Sequence, residues 1–224
     1  MAKDYSVFDI VGPNMIGPSS SHTAGAARLG KTASKIAGKS IKEVKFYLHG
    51  SFAETYKGHG TDKALVGGIL GFQPDDARIK NSFELAEQAG VKFEFIKANL
   101  GDDVHPNTVK IEMLLEDGTI STVKGASIGG GNIKLTEMDG LELDFNGARA
   151  AVVLEIKDIP GAISFVTGLL AHNNKNIATM STNKPAKSEY TFLTLETDDQ
   201  LERDLIDQLK KFEVVAKVVV LDKF

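Results

Sequence analysis

The chain has 224 residues, 42% hydrophobic and 25% charged, with a net charge of −4. This is the composition of an ordinary globular protein with material for one large or two small domains, and it lacks the basic footprint of a nucleic-acid binder. The complete absence of cysteine excludes disulfides, cysteine nucleophiles, thiolate zinc sites and any iron–sulfur cluster held by this chain's own thiolates.

Along the chain, GPSSSHTAG (17–25) places three serines, a histidine and a threonine directly before a predicted helix over 26–37. Ala26, Leu29, Gly30, Ala33, Ile36 and Ala37 recur there at helical spacing. VKFYL (44–48) alternates as a strand, and GHGTDKALVGGILGF reads as a glycine-bounded loop feeding a short helix. ARIKNSFELAEQAG (77–90) predicts one helix with Ile79, Phe83, Ala86 and Ala89 inward and Gly90 as its C-terminal cap. VKFEFIK alternates again, and two alternating runs around Glu116–Thr119 predict a hairpin over 107–125. SIGGGNIKLTEMDG supplies a glycine-rich turn and a further strand. The expected class is α+β with antiparallel strands, and a domain boundary is expected at 145/146. From there the order is strand, DIPG turn, helix, strand, strand, helix, strand: a ferredoxin-like βαββαβ unit over 146–224. No apolar run is long enough to cross a membrane, and MAKDYSVFDIVG lacks the apolar stretch of a signal peptide, so the expected location is the cytoplasm.

Several residues have side chains suited to chemistry. Ser19, Ser20, Ser21 and Thr23 put hydroxyls at a helix start, where exposed N–H groups and the helix dipole favour an anion. One of them, Ser21 or Thr23, is also expected to act as the N-cap, and the other reading is that all five residues, His22 included, are simply a capping loop. His22 lies among them, as a donor to substrate or as a loop-orienting group. His59, between Gly58 and Gly60, is the leading general base or proton relay, because imidazole titrates near neutral pH and the flanking glycines allow close approach. The competing reading is a loop histidine fixed by Asp62, with Asp62 or Thr61 capping the next helix. His105 and Asn107, two apart in an extended segment, are expected to share a face and orient a carboxylate or amino group; an ordered turn entering a strand accounts for them equally. His49 and Ser51 stand at a strand tip. SIGGGN (127–132) offers backbone N–H groups but has the wrong spacing for a dinucleotide fingerprint. His172 is expected in the last turn of a helix. No histidine spacing supports a metal site formed by this chain.

The C-terminal unit resembles an ACT domain through Asp158, Pro160, Gly161 and Ala162 at its first turn and Asn176 and Ile177 at its second strand. That resemblance implies an amino-acid site using Asp158, Gly161 and Asn176, and edge-to-edge pairing of ACT domains; the residue-level alternative is that Asp158 caps the first helix and Asn176 ends it. Ile156 departs from the pattern, since some serine-binding ACT domains have a polar residue there. SVFDIVGPNMIGPSSSHTAG, GSFAETYKGHGTDKALVGGILG, HPNTVKIEM and SIGGGNI together resemble the beta chain of iron–sulfur-dependent L-serine dehydratase (L-serine ammonia-lyase). The resemblance implies an N-terminal domain like the allosteric-substrate-binding domain of some phosphoglycerate dehydrogenases. It also implies an alpha-chain partner that carries a [4Fe-4S] cluster, L-serine as substrate, and pyruvate and ammonia as products. In that chemistry an iron of the partner's cluster polarises the β-hydroxyl, and this chain is expected to supply the anion cradle and the base. The alternative is a serine-sensing regulatory subunit without catalytic residues.

Overall fold

The computed structural model describes residues 14–186 and 188–223, so the start of the SVFDIVGPN motif lies outside the described residues. The chain divides into two compact units, Met1–Gly140 and Leu141–Phe224.

In the first unit a π-helical turn, Ser20–Gly25, runs directly into α1 (Ala26–Ala37). β1 (Ile41–Leu48), α2 (Gly50–Thr55) and α3 (Thr61–Ile69) follow. A 3-10 turn, Ala77–Asn81, leads into α4 (Ser82–Gln88) and β2 (Lys92–Lys97). The long hairpin is β3 (Thr108–Leu115) and β4 (Ile120–Gly129), followed by β5 (Asn132–Met138). The strands of the first unit form a sheet in the order β2-β1-β3-β4-β5, and β6 (Leu141–Phe145) begins just past the division.

Alternation along the strands decides which face is buried. In β1, Val44, Phe46 and Leu48 are buried, and Ile111 and Met113 continue the same layer on β3. α1 lies over this sheet: a Cβ added at Gly125 of β4 would stand 2.8 Å from Leu29 Cδ2. Each fully buried leucine or phenylalanine of this kind contributes about 1.5–3 kcal/mol. α1 and α3 approach still more closely. A Cβ at Gly30 would meet the Leu65 carbonyl oxygen at 2.3 Å, and one at Gly68 would meet the Ala27 carbonyl oxygen at 2.2 Å. The two helices therefore touch backbone to backbone, which only glycine permits at these positions.

Several expectations are corrected. β1 and β2 pair in parallel, because three helices cross over between them, whereas β1–β3, β3–β4 and β4–β5 are antiparallel. The predicted helix 77–90 is broken at Asn81, and Ala89 is exposed rather than inward. Gly90 does adopt the left-handed conformation (φ 73°) of a C-terminal cap. The glycine run is no open N–H cradle: Gly129 pairs with Asn132, and Gly130 and Gly131 (φ 60° and 77°) form the two-residue turn of the β4–β5 hairpin.

The second unit contains β7 (Ala150–Lys157), α5 (Ala162–His172), β8 (Ile177–Asn183), β9 (Tyr190–Thr197), α6 (Arg203–Lys210) and β10 (Val215–Leu221). Its strand order, β10-β7-β9-β8, is antiparallel throughout and is that of the ferredoxin-like fold. Leu154, Ile156, Val166, Leu170, Leu195 and Leu209 build its core. Ile156, the departure from the ACT pattern, is 1% exposed and serves packing.

Candidate active site

The Ser-rich segment begins with Ser19, which has extended backbone (φ −139°, ψ 124°) and caps the π-helical turn. Its Oγ accepts the His22 backbone N–H at 3.2 Å, and its carbonyl accepts the Thr23 N–H at 2.8 Å. The N-cap is thus Ser19, not Ser21 or Thr23: the extra residue of a π turn moves the cap upstream of where an α-helical reading puts it. Ser20 and Ser21 are half-buried in that first turn. Thr23 is buried, and its hydroxyl donates to the His59 carbonyl at 3.2 Å. It ties two loops together rather than facing a ligand.

That tie brings the two central histidines side by side. The His22 and His59 rings lie 4.9 Å apart, centroid to centroid, tilted by 40°. His22 is held from both edges, with Nε2 3.1 Å from Ser51 Oγ and Nδ1 3.4 Å from Ser19 Oγ. Phe52 packs against it edge-to-face at 5.3 Å. Burial, and then the charge of His59, hold the His22 imidazole below its ordinary value of 6.5. His59 is half-buried, its N–H bonded to the Thr55 carbonyl at 3.1 Å, while its Nδ1 is buried without a hydrogen-bond partner. Gly60, in the left-handed conformation (φ 70°), carries the chain from His59 into α3 with no side-chain cap. Asp62 and Thr61 therefore do not cap that helix. Asp62 accepts the Lys63 N–H at 2.8 Å, and burial pushes its carboxyl up. Thr61 is fully buried, with its hydroxyl unpartnered. Unpaired buried polar atoms are costly, and two of them, His59 Nδ1 and Thr61 Oγ1, stand within three residues of each other here.

The depressed His22 value has a consequence for stability. Because the folded value lies below 6.5, the unfolded chain takes up this proton first. The contribution is complete above 6.5 and is lost as the pH falls toward the folded value. His22→Gln is expected to flatten the loss of stability as the pH falls below 6.5, read as urea midpoints of the full chain. An unchanged slope would show that His22 titrates alike in both states.

The other candidates are placed elsewhere. His105 is exposed, and its Nδ1 accepts the Asn107 backbone N–H at 3.1 Å. Asn107 donates its side-chain amide to the Ser127 carbonyl at 3.5 Å. The two side chains therefore do not share a face, because the segment turns instead of running extended. Between them, Pro106 abuts α2: its carbonyl accepts the Phe52 N–H at 3.5 Å, and Gly50 (φ 53°) is packed on it. His49 caps α2 and accepts the Leu100 N–H at its Nδ1. Among the described residues no group of three or more metal-ligating side chains gathers. Ser127 is buried behind the π turn, where a Cβ at Gly25 would stand 2.0 Å from its Oγ, and that hydroxyl too is unpartnered.

In the second unit one chain does not bring Asp158, Gly161 and Asn176 together. Asp158 lies at the β7 end, bonded to Lys184 and to Thr191 (3.0 Å), and these bonds hold its carboxyl below the usual range. It does not cap α5, whose N-cap is Gly161 (φ 91°). Asn176 bonds Asp198 at 2.6 Å, past the far end of β9, about 25 Å of strand away. His172 is exposed in the last turn of α5, as expected.

Residues 6–138, which include the His22–His59 pair, match the family described as serine dehydratase beta chain. The chain is 48% identical over 202 residues to the L-serine dehydratase, beta chain of Peptoniphilus asaccharolyticus, covering 90% of this chain and 91% of that one. This chain belongs to the serine dehydratase beta-chain family. A second relative, the probable L-serine dehydratase, beta chain of Bacillus subtilis (strain 168), is 42% identical over 213 residues, 95% of this chain and 96% of that one. Both alignments are longer than the whole stretch that precedes β7 at Ala150, so the likeness to other serine dehydratase beta chains extends into the ferredoxin-like unit. Among solved structures, the ACT domain of GTP pyrophosphokinase from Chlorobium tepidum is similar at 25% identity, over 34% of this chain and 86% of that one, with a TM-score of 0.27.

Proposed function

We propose that this beta chain completes an L-serine dehydratase, converting L-serine to pyruvate and ammonia with an alpha chain that carries a [4Fe-4S] cluster. The observation that supports this reading best is the histidine pair 4.9 Å apart, His22 in the turn that leads into α1 and His59 in the loop before α3, with serine hydroxyls on both sides of His22. The residues present do not fit the cluster itself. The chain has no cysteine, so the cluster belongs to the partner in this proposal.

This chain's own contribution is binding and proton transfer. The substrate carboxylate is received at the first turn, by Ser20, Ser21 and the N–H groups there, where the helix dipole favours an anion. His59, with its Nδ1 unpartnered, takes the proton from the α-carbon. His22 stays neutral beside it, since two adjacent imidazolium ions repel. The aminoacrylate left after loss of the β-hydroxyl as water tautomerises and hydrolyses to pyruvate and ammonia.

The test is anaerobic reconstitution. The beta chain alone is expected to release no pyruvate from L-serine, and the mixture with an alpha chain is expected to release it. Deamination by the purified beta chain alone, or an alpha chain equally active without it, would overturn the reading.

Among the described residues no helix is long and apolar enough to cross a membrane.

A further inference from the structure

In the sequence Ser51 is legible only as a residue at a strand tip. The structure places it in the first turn of α2, and that placement is tightly determined. Gly50 (φ 53°) lets the chain turn against Pro106, the Phe52 N–H reaches the Pro106 carbonyl, and Thr55 Oγ1 donates to the Ser51 carbonyl at 2.8 Å. From this fixed turn Ser51 Oγ lies 3.1 Å from His22 Nε2. On the other edge of the ring, Ser19 Oγ already accepts the His22 backbone N–H, so one lone pair is in use and its own proton is available to Nδ1. A neutral imidazole has one N–H and one bare nitrogen. If Ser19 donates to Nδ1, the ring proton sits on Nε2 and Ser51 receives it.

We propose that Ser51 is a positioning residue for the histidine pair: its hydroxyl accepts the Nε2 proton of His22 and locks that ring as the neutral Nε2–H tautomer beside His59. His22 is then committed at both nitrogens and cannot accept a further proton without losing the Ser19 bond. His59, unpartnered at Nδ1, is left as the ring that exchanges protons. The inference rests on reading this site as the proton-transfer site of an L-serine dehydratase, but its spectroscopic test does not depend on turnover.

The experiment uses the full chain labelled with ¹⁵N-histidine. Long-range proton–nitrogen spectra near pH 7.5 are expected to show His22 as a single Nε2–H tautomer. Ser51→Ala is expected to give averaged nitrogen shifts for His22, and Ser51→Thr, which keeps the hydroxyl, to restore the single tautomer. Ser51→Cys, a weak acceptor of similar shape, carries the test if Ser51→Ala does not fold. In the assembled enzyme, Ser51→Ala is expected to lower kcat about five- to tenfold with little change in KM, and Ser51→Thr to recover it. A His22 spectrum unmoved by Ser51→Ala, or a wild-type His22 in the Nδ1–H form, overturns the proposal. Spectra that shift as expected in a chain that no alpha chain can activate would leave the positioning role standing and sink the functional reading instead.

Discussion

Replacing His59 with alanine is expected to lower serine turnover by the assembled enzyme about 10²- to 10⁴-fold, the range of a lost general base. Assembly with the alpha chain should be unaffected. Among the described residues its side chain makes no hydrogen bond, and its backbone carries the structural ties, the N–H to Thr55 and the carbonyl to Thr23. Alanine keeps both. The loss should therefore fall on kcat, with the thermal midpoint nearly unchanged. His105→Ala provides the contrast. Its side chain is exposed and serves a turn within its own loop, so turnover is expected to stay within about threefold of wild type. If His59→Ala turned over normally, or if the two substitutions were equally damaging, the assignment of the base would fail.

The second large effect concerns stability. Gly68→Ala is expected to destabilise the first unit by the upper end of about 1–3 kcal/mol, or more. The added methyl group would stand 2.2 Å from the Ala27 carbonyl oxygen and 2.7 Å from the Lys31 nitrogen. Both are backbone atoms of α1, so no rotamer change relieves the contact and the helices must separate. At about 2–4 °C per kcal/mol for a chain of this size, a 3 kcal/mol loss corresponds to about 6–12 °C in the thermal midpoint. Activity should suffer as well, because α1 follows the turn that carries His22 and α3 follows the loop that carries His59. Gly168→Ala, in the middle of α5, is the control. Nothing lies within 4 Å of its added Cβ, and alanine is the better helix former by up to about 1 kcal/mol. It should leave the midpoint unchanged or raise it. A Gly68→Ala chain that melts with wild type would show that α1 and α3 do not meet as described.

How much of this was legible in the sequence varies by element, for physical reasons. α1 and the ferredoxin-like unit are read almost residue by residue, because long periodic runs between turn residues leave little ambiguity. α2 leaves no trace in the sequence pattern: six residues with two buried side chains give no period to detect. The parallel pairing of β1 and β2 is equally invisible, since alternation reports burial and not strand direction. His22 and His59 stand out separately in the sequence, but their contact depends on the buried Thr23 tie, and nothing in the spacing 22 to 59 announces it. His105 and Asn107 show the reverse failure: the same-face rule holds for a strand, and the chain there turns. Asp158 and Asn176 belong to one recognisable pattern yet sit at opposite ends of β9. Ser51 carried a weak signal, its nearness to a strand tip, and gained meaning only when α2 set it against His22.

The π-helical turn at Ser20–Gly25 fixes something that substitution alone cannot reveal. Each residue of an α-helix advances the side chains by about 100° around the axis, so the number of residues ahead of α1 sets the direction in which His22 points. Shortening this segment by one residue would let ordinary helical winding continue upstream and swing the imidazole about a quarter-turn or more away from Ser51. Many surface loops accept a lost or gained residue without harm; in this one the length itself aims His22 at Ser51.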